Sequence, residues 1–492
     1  MRFRLKPRRL KKTRNKKRSF PEPCDTDMSF QECELAILRQ AVDENENQAK
    51  KKIANSDDVK NMISIVEEFL REKKCICYGG TAINNILPEE SQFYNRDLEV
   101  PDYDFYSDRA LEHAKELADI FYSQGYSDVE AKAGVHYGTF KVFVNFIPMA
   151  DITTLHPDLH KSIQTDAIVI NGIYYTPPNF LRMSMYLELS RPNGDVSRWE
   201  KVLKRISLLN KHYPLKATQC DQVDFQRNMD NNDRSTEIYY ALRDSFIQQK
   251  VVFFGGYASS LYARYMPYNE KRMVRTIPDF DVLSDNPDLC TSLIQQKLKD
   301  EGFGKIKIMK HAAVGEVVPE HYELLLGKDT LAFIYKPIAC HNYNEISLGG
   351  NKIRVATIET ILSFYLAFLY TDHEYYSDYK QRLLCMCQFL FDVNQKNRLS
   401  QLGLLKRFSL TCYGTQPTLE TMRTEKTEMF RLLKNKRNDP EYEKWFLKYV
   451  PSDRSLEKKG QVMAVEPPKK TKRRKRKKAK TLKEKRKSEY LY

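Results

Sequence analysis

Two segments of the chain share one pattern of apolar and polar positions. In residues 57–80, apolar side chains recur at three- and four-residue intervals, and a short run, Cys-Ile-Cys-Tyr, then leads into Gly79-Gly80. Residues 236–256 repeat this order, with Val-Val-Phe-Phe leading into a second glycine pair. The helical recurrence predicts an amphipathic helix, and the short apolar run before two glycines predicts a strand that ends in a turn.

The similarity between the two segments continues downstream. Residues 100–107 read VPDYDFYS and residues 277–284 read IPDFDVLS, while the apolar stretch at 173–189 corresponds to that at 353–369. An internal repeat of this length predicts two tandem copies of one domain. Each copy reads helix, strand, Gly-Gly turn, helix, strand with two acids, helix and further strands, which predicts an α+β domain with a mixed sheet.

The chain after the second copy has a helical pattern from Glu374 to Asn394 and again from near Thr418. Both ends of the chain lack hydrophobic periodicity, so we expect them to be disordered extensions. The predicted division is a basic tail over 1–28, a first domain over 29–215, a second over 216–372, a helical C-terminal region over 373–454 and a basic tail over 455–492.

Charge is concentrated in those tails. The 492 residues carry a net charge of +16, yet residues 1–20 alone hold 11 Lys/Arg with no acid, and residues 469–487 hold 14 with the single Glu484. The folded part is therefore mildly acidic. Two interpretations of the tails stay open: nuclear-import signals or solvated extensions on one side, and contact with nucleic-acid phosphates on the other.

The ten cysteines include no C-x-x-C pair, and no secretory leader precedes them, which predicts a reducing compartment. The longest apolar stretch, around residues 361–370, is too short to cross a bilayer. We therefore expect a soluble intracellular protein with no membrane contact.

Three aspartates are the first candidates for chemistry. Asp102 and Asp104 alternate with apolar residues, and the two-residue period of a strand places both carboxylates on one face. Two neighbouring carboxylates resist joint ionisation unless a cation lies between them, which favours a Mg²⁺ site. Asp151, at the end of another apolar run, would supply a third carboxylate. The alternative for Asp-x-Asp alone is an exposed strand edge or turn.

Gly79, Gly80 and Thr81 are the second candidate, because they lie directly between a predicted strand and a predicted helix. Such a turn can present backbone N–H groups and the positive end of a helix dipole to a phosphate. A glycine pair alone after a strand is more often a structural turn. The combination with Asp-x-Asp and a distant third Asp is much more specific.

This combination resembles the nucleotidyltransferase superfamily related to DNA polymerase β. With LSRPNGDVSRWEKVLKRISLLNKHYPL at 189–215, the chain more closely resembles the catalytic subunits of poly(A) polymerases of large nucleocytoplasmic DNA viruses, of the poxvirus, asfarvirus and mimivirus kind. The resemblance covers residues 55–370 and includes a second, degenerate domain. It implies tandem nucleotidyltransferase-like domains of DNA polymerase β type.

The resemblance also implies an activity: template-independent addition of AMP from ATP to RNA 3′ ends, with two Mg²⁺ or Mn²⁺ ions. Asp102, Asp104 and Asp151 would hold the metals, with Asp151 serving only the metal on the side of the nucleophile. The alternatives are a nucleotidyltransferase with another RNA or small-molecule acceptor and a non-catalytic RNA-binding protein.

Under the same resemblance, Gly79, Gly80 and Thr81 would hold the β- and γ-phosphates of ATP. A basic helix that follows, with Arg198 and Lys201 among its cations, would also meet phosphates. The alternative for this helix is a solvated basic face on a helix whose Trp199 packs into the core. The implied partners are the RNA 3′ end and either a second copy of the chain or a separate processivity subunit, in the host cytoplasm or the virion.

The second copy retains Gly255-Gly256 and Asp279-x-Asp281, but we align Cys340 with Asp151, followed by His341. Without a third carboxylate this copy is not expected to catalyse, and it would serve as a scaffold or RNA-binding surface. A metal bound by Cys340 and His341 is the weaker alternative to a buried cysteine, because adjacent residues make poor chelates.

Overall fold

The computed structural model describes residues 24–25, 27–95, 100–223, 225, 234–267, 280–371 and 379–453. Most of both predicted tails, and Asp279 of the second Asp-x-Asp, lie outside these ranges. Described residues up to Pro451 form one compact unit. No helix within the described ranges combines the length and the apolar character that crossing a membrane requires.

Fourteen helices are present in the described part of the chain. They are α1 (Phe30–Ala54), α2 (Asp57–Lys73), α3 (Gly79–Ile86), α4 (Ala110–Ser123), α5 (Pro157–Thr165), α6 (Pro178–Leu189), α7 (Trp199–His212), α8 (Ser235–Gln248), α9 (Gly256–Tyr262), α10 (Pro287–Asp300), α11 (Ile358–Phe368), α12 (Tyr379–Lys396), α13 (Leu419–Leu433) and α14 (Pro440–Phe446).

Sixteen strands accompany them within the same described ranges. They are β1 (Ile76–Cys77), β2 (Tyr103–Ser107), β3 (Val129–Ala133), β4 (Thr139–Val144), β5 (Ile147–Thr154), β6 (Ile168–Ile170), β7 (Ile173–Tyr175), β8 (Val252–Phe253), β9 (Phe280–Leu283), β10 (Ile306–His311), β11 (His321–Leu326), β12 (Asp329–Tyr335), β13 (His341–Leu348), β14 (Asn351–Ala356), β15 (Cys412–Tyr413) and β16 (Lys448–Tyr449).

Helix α2 shows how the sequence pattern determines an element. The side chain of Ser56 caps the helix by accepting a hydrogen bond from the Val59 N–H. The apolar residues recur at helical spacing and form the buried face: Val59, Met62, Val66, Phe69 and Leu70. Lys74 adopts a left-handed conformation and ends the helix. The helix predicted before the first glycine pair is therefore confirmed.

The strands form two eight-stranded mixed sheets, and seven strands of each follow the same spatial order. The first sheet runs β16-β3-β4-β5-β2-β1-β7-β6, and the second runs β10-β11-β12-β9-β8-β14-β13-β15. Strand β2 is parallel to β5 as β9 is to β12, and β1 is parallel to β7 as β8 is to β14. The predicted duplication and the mixed α+β architecture are both confirmed.

The C-terminal region contributes the eighth strand of each sheet. Strand β15 pairs with β13 of the second sheet, and β16 then pairs with β3 of the first. Around β16, Lys426 donates to the Gly134 carbonyl at 2.8 Å, and the rings of Trp445 and Tyr137 lie 4.6 Å apart. The chain therefore returns to its first domain. The boundaries 29–215, 216–372 and 373–454 stay a prediction.

A buried arginine links the helices that surround the first sheet. Arg182 of α6 donates to Asn210 of α7 at 2.7 Å and also to the Tyr213 carbonyl. Tyr213 in turn donates from its hydroxyl to the Ile86 carbonyl at the end of α3, at 2.7 Å. These bonds fix α7 relative to the helix that follows the first glycine pair.

Six cysteines form three disulfides, Cys24–Cys33, Cys220–Cys385 and Cys340–Cys412, which the sequence did not predict. The reducing compartment stays a prediction. The last two bonds join residues 165 and 72 positions apart in the sequence. Such pairs meet only through the tertiary fold, so cysteine spacing could not indicate them.

The Tyr449 hydroxyl donates to Asp119, a carboxylate only 2% exposed, at 2.7 Å. We expect Tyr449→Phe to lower the free energy of unfolding by about 1–3 kcal/mol, because a buried acceptor loses a donor. The change should appear as a lower melting temperature. Tyr137→Phe is the matched control, because its hydroxyl donates to Glu441, whose side chain is 35% exposed. Equal effects of the two variants would contradict the expectation.

Candidate active site

The first sheet places the three predicted aspartates near one another. Strands β2 and β5 are parallel neighbours, and their register sets Asp104 opposite Asp151. Asp102 immediately precedes β2, so the two-residue period of an extended chain directs it to the same face as Asp104. Strand pairing therefore makes neighbours of carboxylates that lie 47 residues apart in sequence.

The fold holds the like-charged carboxylates of this cluster close together. Burial, followed by the charges of Asp102 and Asp151, raises the pKa of Asp104 to about 7. Burial and then Asp151 also raise the pKa of Asp102. A nearby cation stabilises the ionised form of carboxylates that are buried close to one another.

The first glycine pair lies directly against this cluster. Gly79 has a φ of +71°, and a Cβ there would come within 2.7 Å of Asp104 Oδ2, so both its conformation and its surroundings require glycine. The Tyr78 N–H donates to the Asp104 carbonyl at 2.9 Å and holds the turn to β2. The predicted strand, turn and helix are present as β1, Gly79 and α3.

Thr81 lies in the first turn of α3 and is 5% exposed. Its hydroxyl donates to the Asp102 carbonyl at 2.7 Å, which ties the helix to the start of β2. That single hydroxyl proton is therefore already used in this structure. The first-turn N–H groups of α3 have no partner within the helix and remain the donors suited to an anion.

A cation that the sequence did not single out lies over this turn. The Nη2 atom of Arg205, on α7, lies 2.8 Å from the position that a Cβ atom on Gly80 would occupy. It donates to the Tyr94 hydroxyl at 2.7 Å, and its guanidinium lies 5.0 Å from the centroid of the Phe93 ring. Arg205 is thus oriented by two aromatic side chains at the beginning of α3.

The two basic residues predicted for phosphate contact lie further along the surface of the same region. Arg198 Nε pairs with Glu188 Oε1 at 3.1 Å, and its charge lowers the pKa of Asp104 slightly against the larger effects of burial and the acids. Lys201 is exposed on the first turn of α7. Of the three cations, Arg205 contacts the glycine turn most directly.

A cavity of about 430 Å³ opens beside Asp102 and Thr81. Its other walls include Tyr94, Val100 and Lys50, so it combines an aromatic ring, an aliphatic surface and a cation. A cavity of this size and mixed lining is typical of a small-molecule site.

Lys141 of β4 also belongs to this cluster. It lies opposite Asp151 in the β4–β5 register, and its ammonium contacts Asp151 Oδ2. Its charge lowers the pKa of both Asp102 and Asp104. The contact places a positive charge on the third carboxylate.

The carboxylates of this cluster are the candidate ligands for the metal ions that the sequence implies. Within the described residues, no three His, Cys, Asp or Glu side chains are gathered closely enough to enclose an ion, and Asp151 Oδ2 already contacts Lys141. Asp151 Oδ1 is nevertheless buried and has no hydrogen-bond partner in the described structure. Three carboxylates with an orphaned oxygen fit Mg²⁺ or Mn²⁺ chemically.

The second copy lacks this arrangement. Strand register places Phe333 of β12 opposite Asp281, as Asp151 lies opposite Asp104. The alignment of Cys340 with Asp151 was therefore wrong, because Cys340 follows the end of β12. The missing third carboxylate is confirmed at the corrected position. A Cβ on Gly255 would also clash with the Asp281 carboxylate, which lies directly over the second glycine turn.

Cys340 is 4% exposed and bonded to Cys412, so it is a buried cysteine rather than a free metal ligand. His341 is fully buried, and neither of its ring nitrogens has a hydrogen-bond partner in the described structure. Burial lowers its pKa to about 3, which keeps the ring neutral.

Sequence reasoning missed Lys141 and gave Arg205 no particular role. Arg205 lies in the same basic helix as Lys201, and a helical wheel could have separated the buried from the exposed side. Lys141 reaches Asp151 because the β4–β5 hairpin contains a bulge at Val142/Phe143, which changes the register. No local sequence signal marks that bulge.

Comparison with known proteins agrees with this geometry. Residues 64–195 match a family described as "Poly(A) polymerase catalytic subunit". The chain is 28% identical over 239 residues to a "Putative poly(A) polymerase catalytic subunit" of African swine fever virus (strain Badajoz 1971 Vero-adapted), covering 47% of this chain and 46% of the relative. A relative with the same description from Acanthamoeba polyphaga mimivirus is 29% identical over 230 residues, 44% of this chain and 38% of the relative. The matched segments thus span less than half of those relatives.

The fold is similar to that in the "Crystal structure of the Megavirus polyadenylate synthase", with a TM-score of 0.72 over 91% of both chains and 19% sequence identity. This likeness shows that the two chains share a fold, and the duplication is seen in the strand orders of the two sheets. Together with the sequence matches, it confirms the predicted resemblance to the poly(A) polymerase catalytic subunits of large nucleocytoplasmic DNA viruses.

The raised pKa of Asp104 predicts a pH-dependent stability in the absence of divalent ions. Between about pH 4 and pH 7 the folded chain keeps a proton that the unfolded chain has released, so the free energy of unfolding falls as pH rises through this window. We expect Asp104→Asn to remove this loss and to melt higher than the unchanged protein at pH 8 in EDTA. Asp158→Asn, at an exposed position on α5, is the control. Parallel pH curves for all three proteins would contradict the assignment.

Proposed function

We propose that the chain is a template-independent poly(A) polymerase, which transfers AMP from ATP to RNA 3′ ends and so polyadenylates mRNA. The observation that carries the proposal is the register of β2 and β5, which sets Asp104 opposite Asp151 beside the Gly79 turn. Carboxylates and a phosphate-binding turn on one sheet face suit nucleotidyl transfer. The similarity to viral poly(A) polymerase subunits over residues 64–195 supports RNA as the acceptor.

In the proposed reaction the RNA 3′-oxygen attacks the α-phosphorus of ATP, and pyrophosphate leaves. Asp102, Asp104 and Asp151 would hold two Mg²⁺ or Mn²⁺ ions, which when bound lower the pKa of the 3′-hydroxyl and neutralise the leaving group. Asp151, with its orphaned oxygen, is assigned to the ion on the side of the RNA 3′ end.

The triphosphate is assigned to the beginning of α3. N–H groups at Gly79, Gly80 and Thr81 would donate to the β- and γ-phosphates, and the helix dipole favours the negative charge there. Arg205 lies within reach of the same turn and would add a charge-assisted bond. The cavity beside Thr81 and Asp102 is assigned to the nucleoside.

The second domain is assigned a scaffold or RNA-binding role. Phe333 replaces the third carboxylate, and Asp281 lies over the glycine turn that would otherwise meet a phosphate. The basic tails at 1–20 and 469–487 are suited to hold RNA between additions by phosphate contacts. Because the matched relatives are viral proteins, we assign the activity to an infected host cell.

The decisive experiment is extension of a short 5′-labelled RNA with each NTP in turn and Mg²⁺. The native protein should produce an ATP-dependent ladder. Asp104→Ala should reduce it on the order of 100-fold or more, because a metal ligand is lost. Asp281→Ala, the matched change in the second copy, should retain it. Equal loss in both variants, or extension with no preference for ATP, would contradict the proposal.

A second prediction concerns Arg205. Arg205→Met should raise the KM for ATP by about 10- to 150-fold, because a charge-assisted bond to phosphate contributes about 1.5–3 kcal/mol. Single-nucleotide addition at varied ATP concentration measures the effect. Lys204→Met is the control, since Lys204 lies on the same helix, is exposed and pairs with Glu200 at 2.6 Å. An unchanged KM in Arg205→Met would remove Arg205 from the ATP site.

A further inference from the structure

The backbone, and not only a side-chain rotamer, brings Lys141 to the third carboxylate. Strands β4 and β5 are antiparallel, and after the bulge at Val142/Phe143 their register makes Lys141 the direct cross-strand partner of Asp151. Directly opposite residues have Cβ atoms about 4.5–5.5 Å apart, within easy reach of an ammonium and a carboxylate. The Asp151 side chain is 16% exposed and that of Lys141 36%, so water screens the pair only in part.

The second copy provides an internal comparison. Its β11–β12 hairpin has a bulge at the equivalent place, between Leu324 and Leu325, and the residue opposite Phe333 is Glu323. Glu323 is 1% exposed and bonds to His311 at 2.9 Å and to Thr330 at 2.6 Å. In the second copy Phe333 stands at the position of the third carboxylate, and Glu323 stands at the position of the lysine. Glu323 has hydrogen-bond partners of its own.

A lysine at this position has a specific consequence for a cation-binding carboxylate. Its ammonium occupies Asp151 Oδ2, one of the two oxygens that could bind an ion. The other, Oδ1, has no partner among the described residues. A unit positive charge a few ångströms from an ion site opposes binding of a second cation, and the opposition is strong at partly buried sites.

We infer that Lys141 is a positioning residue that holds Asp151 and competes with the divalent ion on the side of the RNA 3′ end. This inference rests on the proposed function, because it assumes that Asp151 binds a metal. In the protein without substrates, that ion then binds weakly. The negative charge of ATP and of the RNA end would shift the balance from the ammonium to the ion.

The test is Mn²⁺ binding to the full chain without nucleotide or RNA, followed by the loss of the free Mn²⁺ signal in electron paramagnetic resonance. Lys141→Met should tighten binding at the site that depends on Asp151 on the order of tenfold or more. Lys141→Arg, which keeps the positive charge, should bind Mn²⁺ as weakly as the unchanged protein does. Asp151→Asn identifies the site, because its Mn²⁺ binding should be lost.

Lys132→Met is the matched control, because Lys132 lies directly opposite Lys141 on β3 and is 3.3 Å from Glu130. It should leave the Mn²⁺ affinity unchanged. Melting curves establish that each variant is folded. Unchanged affinity in Lys141→Met, with an Asp151-dependent site present, would overturn the inference alone. The lack of any Mn²⁺ site that depends on Asp104 or Asp151 would overturn the proposed function as well.

Discussion

Mutual repulsion among three carboxylates is the constraint around which the first domain is built. Repulsion favours moving the carboxylates of Asp102, Asp104 and Asp151 apart. The pairing of β2 with β5 nevertheless keeps Asp104 and Asp151 side by side. Burial, and after it the charges of Asp102 and Asp151, raise the pKa of Asp104. The hydrogen bonds and apolar core of the sheet stabilise an arrangement that is locally costly, as is common at functional sites.

Elements around the sheet compensate for that charge. Lys141 approaches from the next strand, Arg198 approaches from the 3-10 turn directly before α7, and the positive end of α3 faces the same region. Arg182 fixes the position of α7 relative to α3 through Tyr213. None of its hydrogen bonds in the described structure goes to the carboxylates or to the glycine turn. The positive groups therefore come from separate elements that share one buried framework.

The sequence was sufficient where the chemistry follows local spacing. The two copies, the helix before each glycine pair, the Asp-x-Asp strand and Asp151 could all be predicted from short-range patterns. The sequence was insufficient where strand register determines which residues lie opposite each other. Phe333, not Cys340, is the counterpart of Asp151, because the bulges and the loop after β12 change the count between strands. Strands β15 and β16 have two residues each, too few to produce a recognisable alternation.

The last strand of the described chain has a consequence for how the protein is made. Strand β16 covers β3, and the Ala133 N–H donates to the Leu447 carbonyl at 3.0 Å. During synthesis, the first domain leaves the ribosome long before residues 448–449 exist, so the edge of β3 stays unpaired in the meantime. An unpaired edge strand is a template for aggregation. A chain that terminates early would therefore contain all three aspartates on an unfinished sheet, and quality-control proteases would have an exposed edge to recognise.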